Sequence, residues 1–300
     1  MPYVVLLLSM LLWASTFIAV KYIFLSFDPV FVLFARMAIA MLCLLPLLGV
    51  LRVSLRVRRE DWRSLLLLGL CQPCLYFLFE SAALKLTSAS QASVLAALIP
   101  VLATLSAWLW LREPQRAGSW AGVVISTMGA LALTLASPAS ANAPNPLLGN
   151  FLELLAVLCG VGYMLLLKRL AARYAPLTII FIQTMIGLLW FGFGLLTPWG
   201  TWPTAWPFWP CVWLVYLGAV VTLGAFALYT WAISRVPVAH AAVFTNLIPL
   251  FSMALAFMLL DERLTRLQWL ACLAILLGVW LGQRSGGKPV PQGDLQQVQG

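Results

Sequence analysis

Three charged side chains sit in almost wholly apolar surroundings: Arg36 in "VFVLFARMAIAM", Glu80 in "LYFLFESAAL" and Glu153 in "GNFLELLAVL". An arginine presents a planar fork of N–H donors that grips a carboxylate through two parallel bonds. A carboxylate nearby binds an amine or carries a proton. If the three share a site, Arg36 anchors a ligand carboxylate while Glu80 or Glu153 takes the amine or the proton. The competing reading is a static Arg36–Glu80 pair that stitches two helices together, since an opposite charge within about 4–6 Å favours the ionised form of each partner. The only histidine, His240, is of the type that titrates near ~6.5 and suits a proton relay. An ordinary interfacial histidine explains it as well.

These residues need an environment, and the composition supplies it. Of the 300 residues, 63% are hydrophobic and 9% charged, against roughly 25% charged in soluble domains. Apolar stretches run at about 3–25, 29–51, 63–85, 88–111, 117–136, 148–170, 176–197, 209–234, 238–260 and 266–284. Each is near the roughly 20 residues that cross a bilayer as helix. The expectation is an all-α membrane protein of ten transmembrane helices. The first stretch begins almost at Met1 without a basic segment before it, so it reads as a span, not a cleaved signal. Arg36 then lies about seven residues, or ~10 Å, inside the second span. Glu80 and Glu153 each lie about five residues from the same face, so all three share one slab of the membrane.

Basic residues set the orientation. With the first residue in the cytoplasm, thirteen Lys/Arg fall on cytoplasmic segments, Arg52, Arg56, Arg58 and Arg59 among them, and four on the opposite side. The positive-inside bias places both termini in the cytoplasm. The net charge of +9 is thereby explained without nucleic acid. Six cysteines lie mostly within spans and read as small apolar fillers, not as redox or metal ligands.

Sliding the chain by 149 residues lays "ALKLTSASQASVLAALIP" (83–100) on "AISRVPVAHAAVFTNLIP" (232–249). In the same register Gly69 meets Gly218, Glu113 meets Glu262, Trp120 meets Trp269 and Gly129 meets Gly278. Two homologous halves account for this better than chance matching of apolar helices. Each half holds five spans, an odd number, so the second enters the membrane from the opposite side: the expected architecture is two inverted five-helix repeats, an arrangement common in secondary transporters. The halves are 1–136 and 148–284, joined by an extracytoplasmic linker at 137–147 and followed by a disordered cytoplasmic tail at 285–300.

The segments "LLWASTFIAVKYIF", "FARMAIAMLCLLPLL", "ALKLTSASQASVLAALIPVLATLSAWLWLREP" and "AISRVPVAHAAVFTNLIPLFSMALAFMLLDERLT" together resemble the EamA branch of the drug/metabolite transporter superfamily. The resemblance implies a ten-helix carrier, and many such carriers export amino acids and related metabolites across the bacterial cytoplasmic membrane. The loop around Val236 and Pro237 departs most between the two copies.

Carrier sites lie near the midplane, which makes further residues candidates. Trp13, Thr16 and Tyr76, with Ser15 and Gln72, supply an aromatic wall and hydrogen bonds; the alternative is plain packing. Phe17, Tyr163 and Tyr229 are weaker candidates of the same kind. Pro100 and Pro249 fall mid-helix and are expected to kink the fourth and ninth spans as hinges. Asn246, a turn before Pro249, is a contact to substrate or to the opened backbone. The tryptophans at 199, 202, 206, 209 and 213 read as an interfacial belt or as a lid.

The expected protein is therefore a secondary-active exporter of a small polar metabolite working by alternating access. Its partners are a small-molecule substrate and the lipid bilayer, it needs no cofactor, and it acts as monomer or homodimer. Proton antiport through Glu80 or His240 is one coupling open to it. The rivals are a multidrug or lipophilic-cation exporter, where Glu80 outweighs Arg36, a channel, and a membrane-embedded enzyme. No HExxH, GxSxG or nucleotide-binding motif supports the last.

Overall fold

A computed structural model describes residues 2–99, 101–102, 105, 117–137, 139–140, 143–198, 200–233, 235 and 244–285. Helix is present in each of the ten apolar stretches and no strand occurs among the described residues. Among the described residues seven helical runs are long and apolar enough to cross a membrane, and the apolar helices Leu247–Leu260 and Arg266–Gly282 are shorter. Pro100, Glu113, His240 and the tail beyond 285 lie outside the described residues.

Short polar signals start the helices. α1 is Pro2–Ile23 and α2 is Pro29–Val50. Asp28 caps α2, its Oδ1 accepting from the N–H of Val30 at 2.9 Å and of Phe31 at 3.4 Å, and Pro29 takes the first helical position, where a missing N–H costs nothing. The third span is interrupted. It consists of α3 (Trp62–Gly69), a π-wound segment (Leu70–Leu75) and α4 (Tyr76–Leu86), with Gln72 extended at φ −150°, ψ 122° and a cis Gln72–Pro73 bond. The expectation of one continuous helix missed this break. Its sequence signal is Pro73, which cannot continue the ladder of hydrogen bonds; Gly187 faces it, and a Cβ there would lie 2.5 Å from the proline ring.

α5 (Ala89–Ala96) is capped by Ser88, whose Oγ accepts from Gln91 N–H at 3.2 Å. α6 (Ala117–Leu135), α7 (Pro146–Leu170) and α8 (Pro176–Leu195) follow. The eighth span repeats the interruption: α9 (Phe208–Val215), a π-wound segment (Tyr216–Ala225) and α10 (Phe226–Ile233). A shift of 149 residues lays Leu70–Leu75 on positions 219–224, inside that second segment. α11 is Leu247–Leu260 and α12 is Arg266–Ser285. Thr265 and Gln268 open α12 with a reciprocal capping box at 3.3 and 2.8 Å. Pro249 differs from its expected place: it stands in the first turn of α11, where it displaces no helical hydrogen bond.

Two polar ties join the ends of distant helices. Asp61 accepts from Arg173 at 3.0 Å and from the Tyr174 hydroxyl at 2.6 Å, linking the 51–61 connection to the turn between α7 and α8. The bond to the Asp61 carboxylate pushes the Tyr174 phenol above its ordinary pKa range. At the opposite ends, the Glu262 carboxylate accepts from the N–H groups of Ala89 and Ser90, both at 3.0 Å, and from the Ser90 hydroxyl at 2.8 Å. A carboxylate there also meets the positive end of the α5 dipole.

α6 and α12 pack backbone to backbone. A Cβ on Gly278 would stand 2.5 Å from Ser126 N and 2.7 Å from Gly122 O; one on Gly129 would stand 2.9 Å from Ile275 N and 3.0 Å from Ala271 O. Small residues let backbones approach this closely. Overpacking costs about 1–3 kcal/mol, so Gly278→Leu is expected to lower the melting temperature of the detergent-solubilised protein. Gly49→Ala, with nothing within 4 Å of the added Cβ, is the control and should leave it unchanged. Equal melting of Gly278→Leu and the native chain would show that the two helices do not meet in this way.

Candidate functional site

Among the described residues Arg36 is the largest fully buried side chain, 1% exposed. α2 carries it inward, and α2 lies close on the second π-wound segment because Gly218 has no side chain: a Cβ there would stand 2.6 Å from Ile39 Cβ and 3.0 Å from Arg36 O. The Arg36 Nε–H donates to Thr222 Oγ1 at 3.0 Å. Its Cζ lies 4.0 Å from the centroid of the Phe77 ring, a distance at which the ring quadrupole attracts a cation. Among the described residues it makes no other hydrogen bond and no ion pair with Glu80. The static Arg36–Glu80 bridge is thus absent from this conformation.

Both charges instead line one cavity. It leaves about 90 Å³ for the centres of water-sized molecules, and Trp13, Thr16, Phe17, Gln72, Tyr76, Tyr163 and Tyr229 line it together with Arg36 and Glu80. One water needs about 10–15 Å³ on this measure, so the space holds about six to nine water-sized groups. Tyr76 and Glu80 lie one turn apart on α4, on the same helix face, and their polar groups interact electrostatically.

The wall is aromatic. Trp13 lies 4.7 Å from Tyr229 and 5.3 Å from Phe226, ring centre to ring centre, and Phe226 lies 6.5 Å from Phe77 and 6.3 Å from Tyr163. The indole N–H of Trp13 is buried and has no acceptor among the described residues. A shift of 149 residues turns Phe77 into Phe226 and Glu80 into Tyr229. The two phenylalanines touch, but the position that is acidic in one half is a phenol in the other.

Other sequence candidates stand elsewhere. Glu153 is wholly buried, does not line the cavity, and among the described residues neither of its oxygens has a hydrogen-bond partner. Asn246 sits just before α11 and is not part of the lining, whereas its neighbour Thr245 is. Ser15 is 2.6 Å from the Tyr216 hydroxyl, outside the cavity. Trp202 and Trp206 cover the start of α2, with ring centres 5.6–6.1 Å from Phe27, Phe31 and Phe34. Sequence reasoning missed Phe77, Phe226 and Thr222. The available signal for Thr222 was a hydroxyl in the apolar run "VVTLGAF".

Leaving a buried donor unsatisfied costs about 1–3 kcal/mol. Thr222→Val, equal in size but without an acceptor, is therefore expected to lower the melting temperature, and Thr222→Ser to restore it. If valine and serine melt alike, the Arg36–Thr222 bond does not contribute to stability.

The profile of the EamA-like transporter family matches residues 1–135 and 147–282. An uncharacterized transporter of Archaeoglobus fulgidus is 24% identical over 280 residues, which cover 93% of this chain and 96% of that one. The uncharacterized transporter YcxC of Bacillus subtilis is 24% identical over 286 residues, covering 92% and 91%. One solved crystal structure superposes with a TM-score of 0.66 at 20% identity, covering 94% of this chain and 96% of its own; that likeness is one of fold.

Proposed function

The chain belongs to the EamA-like transporter family, and on that premise we propose that it is a secondary-active carrier exporting a small zwitterionic metabolite, an amino acid or close derivative. The observation that carries this reading is that Arg36 and Glu80 line one small cavity without pairing with each other. The N–H groups of Arg36 not engaged by Thr222 grip the substrate carboxylate, which is the fork geometry's natural partner. Glu80 receives the ammonium. Trp13, Thr16 and Tyr76 complete the polar contacts, and the aromatic wall takes the remainder of the substrate. A lipophilic cation fits less well, because the same cavity presents it with a buried guanidinium.

Alternating access is read from the repeat. The contacts of α6 and α12 exchange under the 149-residue shift: Gly129 approaches Ile275 and Ala271, while Gly278 approaches Ser126 and Gly122. The partners run down as positions on α6 run up, so the two equivalent helices are antiparallel, as inverted halves require. The two family-matched segments, 1–135 and 147–282, support halves at 1–136 and 148–284 with the linker between them. Rocking of one half against the other exposes the site to each side in turn. By the positive-inside bias both termini are cytoplasmic, and the membrane is a bacterial inner membrane. The paired helix interruptions, with the Pro249 region, are the hinges.

Charged hydrogen bonds contribute about 1.5–3 kcal/mol, or roughly 10- to 100-fold. In proteoliposome counterflow with a panel of amino acids and lipophilic cations, Arg36→Ala and Glu80→Gln are each expected to lose about that factor for a zwitterion. Wild-type rates in both variants, with each eluting as folded protein, would remove these residues from the site. Preferential loss of cation transport in Glu80→Gln alone would favour the drug-exporter reading.

A further inference from the structure

The connection after α2, "LRVSLRVRREDWR" (51–63), holds five arginines and no lysine. Setting the orientation of a chain needs only basic charge near the span ends, and a loose loop would serve. This connection is instead a strap fixed in place. Val53 and Val57 pack on the apolar core, the Thr178 hydroxyl donates to Ser54 O at 3.0 Å, and the Arg58 N–H donates to the Tyr174 hydroxyl at 3.2 Å. Asp61 ties its far end to Arg173 and Tyr174. Held this way, the strap leaves Arg52, Arg56, Arg58, Arg59 and Arg63 exposed.

Its two acids do not neutralise them. Asp61 is buried and committed to Arg173 and Tyr174. Glu60 lies 3.5 Å from Arg58 and 4.0 Å from Arg173, in exposed pairings of the kind that contribute little. Arg52, Arg56, Arg59 and Arg63 join no ion pair among the described residues. Leu51, Leu55 and Trp62 are exposed between the arginines, and such a mixture of cationic, aliphatic and indole groups suits the boundary of a bilayer.

Arg52 adds an independent observation. α2 ends in a Schellman arrangement, in which the Val53 N–H donates to Leu48 O at 3.1 Å and the Arg52 N–H to Gly49 O at 3.3 Å. This requires left-handed backbone at position 52, where φ is 48°. Glycine adopts that conformation without strain and arginine does not. The Arg52 side chain is exposed and makes no ion pair among the described residues, so packing does not account for it. An arginine kept where the backbone favours glycine points to its charge as the reason.

We propose that the strap 51–63 is a binding surface for the anionic phospholipid headgroups of the leaflet on its side, the cytoplasmic one by the charge bias, and that this contact stabilises the folded carrier. Phosphate oxygens match the arginine fork through paired N–H bonds that a lysine does not reproduce. Clusters of about four to eight basic residues beside a span are what an anionic leaflet attracts. The strap joins α2, which carries Arg36, to the third span, which carries Tyr76 and Glu80, so the leaflet bears on both elements. The proposal does not depend on what the cavity carries.

The test follows the melting temperature of the purified full-length protein in neutral detergent as phosphatidylglycerol is added, because a ligand that binds the native state raises it. Phosphatidylcholine, inorganic phosphate and soluble polyglutamate are the comparison probes. Saturable stabilisation by phosphatidylglycerol alone is expected. Each arginine near a charged leaflet contributes about fivefold in affinity, so Arg56→Gln/Arg58→Gln/Arg59→Gln should move the midpoint about 100-fold to higher lipid. The triple lysine variant, which keeps the charge, should fall between. Arg52→Gly should move the midpoint about fivefold, while the lipid-free variant melts no lower than wild type. Arg263→Gln/Arg266→Gln, on the opposite side, should leave the midpoint unchanged. No response to phosphatidylglycerol, or an equal response to phosphatidylcholine, overturns the proposal. Phosphate or polyglutamate matching phosphatidylglycerol also overturns it, by making the strap a site for soluble anions. So does a wild-type midpoint in the folded triple glutamine variant, or an equal shift in the Arg263/Arg266 variant. If the triple glutamine variant does not fold, a wild-type midpoint in Arg52→Gly is the overturning result.

Discussion

A buried guanidinium constrains much of the rest of this structure. Arg36 is 1% exposed in the interior of a chain whose surroundings are hydrocarbon, and a charge near the centre of a bilayer costs about 2.5–3.5 kcal/mol even on lenient scales. The protein offsets that cost with a hydroxyl and an aromatic face, from Thr222 and Phe77, and with the field of the Glu80 carboxylate acting without a direct ion pair. Most of the donor fork is left toward the cavity. A direct ion pair would have made the same side chain cheaper to bury and unavailable to a ligand.

Holding the guanidinium this way requires helices that are not regular. Thr222 lies within the second π-wound segment, and Phe77 begins two residues after the first. Winding that departs from the α pattern re-aims side chains and is frequent at functional sites. Glycines make room for it: Gly218 admits α2, and Gly187 admits Pro73. The two interruptions stand at equivalent positions of the 149-residue shift, yet the chemistry around them is unequal, since Glu80 corresponds to Tyr229 and Arg36 to Met185. A symmetric scaffold therefore carries a one-sided site.

Much of the architecture was legible because bilayer thickness leaves few choices. Twenty apolar residues in a row form a helix of spanning length, and Asp28, Ser88, Asn145 and Thr265 each mark a helix start by a side chain that caps it. The register match of Gly129 with Gly278 was readable too, though not its meaning; only packing revealed that these glycines bring α6 and α12 into backbone contact. Pro73 was visible as well, but "CQPC" contains nothing that distinguishes a kinked helix from a broken one. Whether the freed carbonyls are met depends on neighbours, and Gly187 lies over a hundred residues away.

The sequence by itself determined that the chain belongs in a membrane, which stretches are helical and apolar, and which ionisable groups share a depth, because hydropathy and rise per residue are local properties. It also placed Arg36, Glu80 and Glu153 in one slab. Tertiary structure decided how they relate: Arg36 and Glu80 face the same cavity without an ion pair, while Glu153 does not line it and has no hydrogen-bond partner among the described residues. Depth is set along one helix, but the direction in which a side chain points across a bundle is set by which helices pack beside it, and that is a property of the whole fold.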